Sequence, residues 1–326
     1  MSSPSAATRA FRETLCGFEC AVLRSDALEV RIVPEIGAKI THLTALAGGR
    51  EWLWRPPGEE RLFRSPTGAA FASGTLWGLD ECFPTIAPCR WRGRELPDHG
   101  EAWTEAWAVD EADLQRNRIT TRLRLPISPL ALERTATVDG PRLRLRYAVT
   151  NIGAGPYEYL WALHPLFALQ PGDRLRLPEE IRRVTTFLAI NAPLGNAGDE
   201  WDWPAPAEGI RPDAFDLGKG DSAVKFFTPP LRCGEAAIEN IRTGDFLRLG
   251  FSTTELNTLG VWINRGGWGG YHHAAIEPTN GAPDPLDAAV NGWRRFSRLD
   301  PGETRRWEIW IEVGHGPIGA SGLFRD

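Results

Sequence analysis

Along most of the chain, apolar and polar residues alternate with a period of two, the pattern of strands that turn one face to a core and the other to water. In LEVRIV, Leu28, Val30 and Ile32 share one face while Glu29 and Arg31 take the other. RLRLRY sets Leu143, Leu145 and Tyr147 opposite three arginines, and RRWEIWIEV repeats the pattern through Trp307, Ile309, Ile311 and Val313. The same reading predicts strands over 119–125, 132–138, 183–190, 245–251 and 258–263. Helical periodicity is scarce. The 34 glycines and 26 prolines fall between apolar runs and not in one linker, so short turns join the strands and nothing marks a domain boundary. The stretch 191–221 has few strand signals, but Trp201, Trp203 and Phe215 predict that it packs as a long functional loop of the same domain. Many antiparallel strands with short connections imply an all-β protein, one large sandwich domain over residues 1–326 with few short helices.

Composition narrows the function classes. With 326 residues, 42% apolar and 24% charged, the chain has the balance of a globular protein with a substantial core. The first 30 residues hold no apolar h-region, and no window reaches 18 uninterrupted apolar residues, so a cytoplasmic protein without a membrane partner is expected. A formal charge of −5 argues against nucleic acid as partner, because backbone binding needs a concentrated positive field. Five cysteines, an odd number, favour reduced thiols; Cys16 and Cys20 lack a second Cys/His pair at zinc spacing. Only Lys39, Lys219 and Lys225 offer an amine nucleophile, which leaves little scope for Schiff-base chemistry.

Several familiar motifs lead nowhere. GHGPIG (314–319) fits a dinucleotide-binding pattern but has no room for a following helix. His272 and His273 resemble metal ligands, yet neighbours in a strand point to opposite faces, so at most one faces any given site.

Polar residues in apolar company are more informative. His164 is the one imidazole in YEYLWALHPLFAL, and Pro165 after it favours an extended backbone and a broken ladder, which places the ring where a strand ends and a site opens. A core histidine with one backbone hydrogen bond fits the same residues. In HHAAIEPTNGAPDP, Glu277 follows an apolar run and precedes a proline and a turn-rich segment; poor solvation raises its basicity, whereas a surface ion pair at a strand terminus is the plainer alternative. The segment WGLDECFPTIAPCRWRGRELPDHGEAWTEAW (77–107) is dense in carboxylates and tryptophans, a combination suited to sugars, whose C–H faces stack on rings while their hydroxyls take paired hydrogen bonds.

Together these segments resemble the aldose 1-epimerase (galactose mutarotase-like) family. VRIVPEIGAKITHL (30–43) is similar to the family's first strand, turn and second strand, and LPDHGEAW (96–103) to its histidine–glycine substrate motif. LWALHPLF (160–167) resembles the catalytic-histidine strand, IEPTNGAPD (276–284) the catalytic-glutamate motif, and LDPGETRRWEIWIEV (299–313) the last hairpin. The resemblance implies a β-supersandwich with a carbohydrate cleft and a metal-free, cofactor-free interconversion of the α and β anomers of an aldose. His164 then corresponds to the general acid, Glu277 to the general base and His99 to a substrate-binding histidine. Two departures stand out: Asp80 and Glu81 occupy the place of an asparagine–arginine pair, and Glu101 that of a second glycine. The missing arginine weakens the case for a phosphorylated sugar.

Asp80, Glu81, His99, Trp103, Asp202, Asn264 and His272 are the expected hydroxyl or stacking contacts. A carboxylate near the cleft is expected to keep His164 protonated near neutral pH. The chain is expected to act as a monomer or homodimer on a small-molecule aldose. A non-catalytic carbohydrate-binding or regulatory protein on the same fold is the main alternative. A polysaccharide lyase or glycosidase, with Glu277 facing Asp80 or Glu81, is a further one.

Overall fold

A computed structural model describes residues 8–59, 61–204, 206–216 and 220–316. The alternating segments form strands: Leu28–Val33, Ile119–Arg124, Leu130–Asp139, Arg142–Asn151, Arg183–Ile190, Asp245–Phe251, Thr258–Arg265 and Thr304–His315. In Leu130–Asp139 and Arg142–Asn151 every second residue is buried, as half-buried strands require. These two meet with Asp139 opposite Arg142, so the loop is only Gly140 and Pro141. Gly140 takes φ +51°, a value that costs glycine least, and proline's fixed φ suits the next position.

Among the described residues, two antiparallel sheets face each other. The larger runs Arg9–Leu15, Phe18–Arg24, Leu28–Val33, Lys39–Ala45, Leu79–Cys82, Ala162–Pro165, His272–Thr279, Thr258–Arg265, Ser222–Phe227, Arg183–Ile190 and Glu200–Asp202. The smaller runs Ala214–Phe215, Asp173–Arg176, Glu235–Asn240, Asp245–Phe251, Thr304–His315, Arg142–Asn151, Leu130–Asp139, Ile119–Arg124 and Ala108–Val109. Their facing side chains, among them Val30, Ile32, Leu132, Leu145, Ile276 and Ile309, form one core. No helix among the described residues is long and apolar enough to cross a membrane.

The segment 191–221 does pack, with Trp201 and Trp203 buried against Phe226 and Phe215 buried as well. It supplies a short edge strand to each sheet, and none of its described residues reaches the cavity discussed below. Lys219 lies outside the described residues, as do the last positions of GHGPIG, whose Gly314 and His315 end a strand.

A polar cluster crosses the apolar core. Glu81, fully buried, accepts from Arg134 Nη1 at 2.8 Å and from the Tyr147 hydroxyl at 2.9 Å, both on the opposite sheet. Arg134 also donates to the Ala38 carbonyl. Burial pushes the Glu81 carboxyl up to about 7, against the opposing pull of Arg134. Breaking a buried pair is costly because one charge is stranded, while replacing both partners with apolar groups is often tolerated. We expect Arg134→Met to lower stability by ~3–5 kcal/mol and Glu81→Leu/Arg134→Met together to recover part of that loss. Urea unfolding checks this; a loss below about 1 kcal/mol in the single variant would remove the contact from any structural role.

Candidate active site

Five consecutive strands of the larger sheet build one concave patch, and their register decides which side chains share it. Lys225 lies opposite Trp262, and Trp262 opposite Ala275. Residues two apart in a strand share a face, so Glu277 and His273 join Ala275 on that side, while Ala274 and Ile276 enter the core between the sheets. Ala162 pairs with Thr279, which puts His164 on the same side as Glu277. The strands of His164 and Glu277 pair at Ala162–Thr279 and meet again only at the Phe167–Ala274 bridge. Pro165 and Pro278 fall in the interval, where neither has an N–H to donate, so the ladder lapses beside His164 and Glu277. Glu277 does not end its strand, as the sequence suggests; His272–Thr279 continues two residues past it.

The cavity over this patch measures about 250 Å³, just under the ~300 Å³ at which small-molecule sites usually begin. His164, Glu277, Lys225, His273, His99, Asp98 and Asp284 supply its polar groups, and Phe71, Trp262, Trp268, Leu166, Leu188 and Ile86 most of its apolar wall. Glu277 Oε2 accepts from Lys225 Nζ at 2.7 Å, and the same ammonium lies 3.0 Å from Asp284 Oδ1. The other oxygen, Glu277 Oε1, is buried, has no hydrogen-bond partner in the protein and stands 3.8 Å from His164 Nε2. His164 Nδ1 is likewise buried without a partner.

Burial sets the charge states. Desolvation is the largest influence on Glu277 and raises its pKa; Lys225 pulls it back and Asp284 adds to the rise. Lys225 is raised despite burial, because Asp284 and Glu277 both hold its proton in place. His164 is lowered well below an ordinary imidazole, first by burial and then by the nearby His99 and Lys225. The expectation of a protonated His164 therefore fails for the free protein: burial disfavours the imidazolium, and Lys225 already compensates the carboxylate on which that expectation relied. His273 is held down to about 3 by burial and by His272. Its Nε2 accepts from Trp262 Nε1 at 3.1 Å, leaving Nδ1 as the protonated nitrogen, without a protein partner.

His99 closes one side. It takes φ +57°, its Nδ1 lies 2.8 Å from Asp98 Oδ1, and its ring stacks on Phe71 at 3.9 Å and meets His164 edge-on at 4.9 Å. Burial, the largest single influence, would raise the Asp98 carboxyl, but the contacts to His99 and the Phe71 amide together outweigh it and bring the pKa below the usual value. Asp98 Oδ2 also accepts from the Phe71 amide at 2.9 Å, so one carboxylate fixes both rings.

Of the sequence-predicted residues, His164, Glu277 and His99 meet at this cavity and six others do not line it. Asp80 shares the face of His164 but is sealed by Lys39, which also donates to the Trp77 carbonyl. Glu81 points the other way, to Arg134, so neither can serve as a second carboxylate for glycoside cleavage. Trp103 stands behind the wall, with Nε1 on the Asp98 carbonyl at 2.9 Å and its ring edge-on to Phe71 at 5.3 Å. Asn264 holds Trp268 through two hydrogen bonds to its backbone. Asp202 sits on the edge strand with its side chain 76% exposed, near Arg183. His272 has the parity of Ala274, so His273 is the neighbour that faces the site. Sequence reasoning missed Lys225, Asp284, His273 and Asp98 as site residues; a lone lysine in AVKFF, in a chain whose cations are almost all arginine, was a usable signal.

No family model matches the chain, and no curated protein does. Solved structures identify the architecture as the galactose mutarotase-like β-sandwich. The Slr1438 protein of Synechocystis aligns over 97% of this chain and 99% of its own, at 17% identity and a TM-score of 0.66. A candidate aldose 1-epimerase from Klebsiella pneumoniae gives a TM-score of 0.69 at 17% identity, over 92% of this chain and 80% of that one. A galactose mutarotase-like protein from Clostridium acetobutylicum gives 0.68 at 12% identity, over 94% and 99%.

The charge states lead to a spectroscopic expectation. Nitrogen-15 spectra of the free protein will show His164 and His273 neutral at pH 6, with no ring inflection above the ordinary value near 6.5. An inflection of His164 above that value would contradict the account of how Lys225 screens Glu277.

Proposed function

We propose that this protein is an aldose 1-epimerase, an isomerase that interconverts the α and β anomers of an aldose. The observation that carries the reading is the unpartnered Glu277 Oε1 facing His164 Nε2 at 3.8 Å, in a cavity walled by aromatic rings. Likeness in fold to candidate aldose 1-epimerases supports it without fixing the chemistry.

Anomer exchange needs one proton off the anomeric hydroxyl O1 and one onto the ring oxygen O5. In the proposed step Glu277 takes the O1 proton while His164, as imidazolium, gives its proton to O5; the C1–O5 bond breaks and C1=O1 forms. Rotation about C1–C2 turns the other face of the carbonyl to O5, and both transfers reverse on closure. The pair starts with one proton on His164 and ends with one on Glu277, so the site never changes net charge. The open-chain state carries neutral His164 and protonated Glu277, the form that burial favours for each group. Aromatic walls stack the sugar's C–H faces, and His99 and the unpartnered Nδ1 of His273 are suited to its hydroxyls. None of the cavity's described lining residues is an arginine, so a neutral aldose suits the site better than a phosphorylated one.

Each positioned proton transfer contributes roughly 10²–10⁴-fold. His164→Asn and Glu277→Gln should each lower kcat by about that factor and change KM only a few-fold, followed by polarimetry of freshly dissolved sugars. Near wild-type mutarotation in either variant would show the assignment to be wrong; sugar binding with no turnover in the wild type would favour a carbohydrate-binding protein instead. The pH–rate profile should be a bell, because the pair must hold one proton and not none or two, and its two limbs belong to the pair and not to either residue.

A further inference from the structure

We propose that Lys225 and Asp284 are positioning residues for the acid–base pair, an ammonium and a second carboxylate that aim Glu277 and set how tightly the pair holds its proton. The inference rests on the isomerase reading above and concerns groups that the proton transfers do not themselves use.

The geometry begins with three adjacent strands. Phe227 lies opposite Gly260, and Gly260 opposite Glu277, so the lysine strand and the glutamate strand are separated by the strand of Gly260. Lys225 therefore reaches across an intervening strand to bond Glu277 Oε2 at 2.7 Å. The crossing is open because position 260 is glycine: a Cβ there would stand 3.1 Å from Glu277 Oε2 and 3.2 Å from the Phe227 ring. With Oε2 held by the ammonium, Oε1 is the oxygen left toward His164.

Asp284 completes the arrangement. Its carboxylate lies 3.0 Å from the same Nζ, so one buried cation is shared by two buried anions and the group keeps an excess negative charge. Its main-chain carbonyl accepts from the amides of Ile86 and Ala87 at 3.0 Å each, which ties the carboxylate to two residues of the cavity wall. Around Glu277 the other titratable groups are His164, His99 and the Cys82 thiol, which burial keeps protonated. Asp80 is already closed by Lys39 and does not compete for Lys225. The excess negative charge favours a proton on the pair, and the ammonium limits that preference. Asp80 Oδ1 and Glu81 Oε2 are also buried without a partner, but neither residue lines the cavity, whereas the free oxygen of Glu277 faces His164 there.

The test uses Lys225→Met, Asp284→Asn and the charge-balanced double variant, in the full chain. Removing the ammonium should raise the proton affinity of the pair and move both limbs of the pH–rate profile up by about one unit; removing the second carboxylate should move both down. In the double variant the limbs should return to within about half a unit of wild type, the two opposite shifts cancelling. Lys225→Met should also lower kcat at least tenfold with KM within about threefold, since Oε2 loses the contact that aims the carboxylate. If Lys225→Met does not fold, Asp284→Asn and the double variant still decide. Limb shifts of the same sign in the two single variants, or none in Asp284→Asn, would overturn the proposal. Nitrogen-15 titration of the His164 ring reads the same signs without turnover: absence of activity in the wild type counts against the isomerase reading alone, whereas ring shifts of the wrong sign count against Lys225 and Asp284.

Discussion

A carboxylate stripped of water must find a compensating charge, and where that charge stands decides which of its oxygens is left to react. At Glu277 the compensating charge is the Lys225 ammonium, delivered from two strands away over a glycine. Everything else about the site follows from that constraint. The register of four strands brings the ammonium, the carboxylate and the His164 imidazole to one face, and two prolines relax the ladder between His164 and Glu277. The pair faces an aromatic-walled cavity where neither member has its usual aqueous stabilisation.

Among the described residues, three buried ion pairs lie within the central strands, and comparing them explains why Lys225–Glu277 is the candidate for chemistry. In Lys39–Asp80 the ammonium also donates to the Trp77 carbonyl, and in Arg134–Glu81 the carboxylate also accepts from the Tyr147 hydroxyl; each carboxylate keeps one oxygen without a partner, but neither residue lines the cavity. Lys225 serves two anions at once, and one oxygen of Glu277 remains free beside a neutral histidine and a cavity. Arg134–Glu81 spans the two sheets and Lys39–Asp80 joins neighbouring strands of one, both away from the cleft. Lys225–Glu277 is the pair that lies at the cavity beside an imidazole.

Much of this was legible in the amino-acid order. Period-two alternation located the strands because one face of each meets a single core, and Pro165 marked the lapse in the ladder at His164. Asp80 and Glu81 misled because a dense run of carboxylates looks the same whether its cations are absent or lie far along the chain; Lys39 and Arg134 stand 41 and 53 residues away in the sequence. His272 misled for a simpler reason. Parity along the strand already assigns position 273 and not 272 to the face of Glu277, once Glu277 is taken as the reference. Lys225 was visible only as a rare lysine, because its role depends on a three-strand register that no local pattern encodes.

The central claim is that Glu277 and His164 pass a single proton to and from a sugar ring, and saturation transfer between the α and β anomeric proton signals of neutral aldoses reads that event directly. Added wild-type protein is predicted to accelerate exchange for at least one aldose at pH 7 well beyond the buffer rate. Line broadening from bound sugar, with exchange left at the buffer rate across the whole panel, would contradict the account.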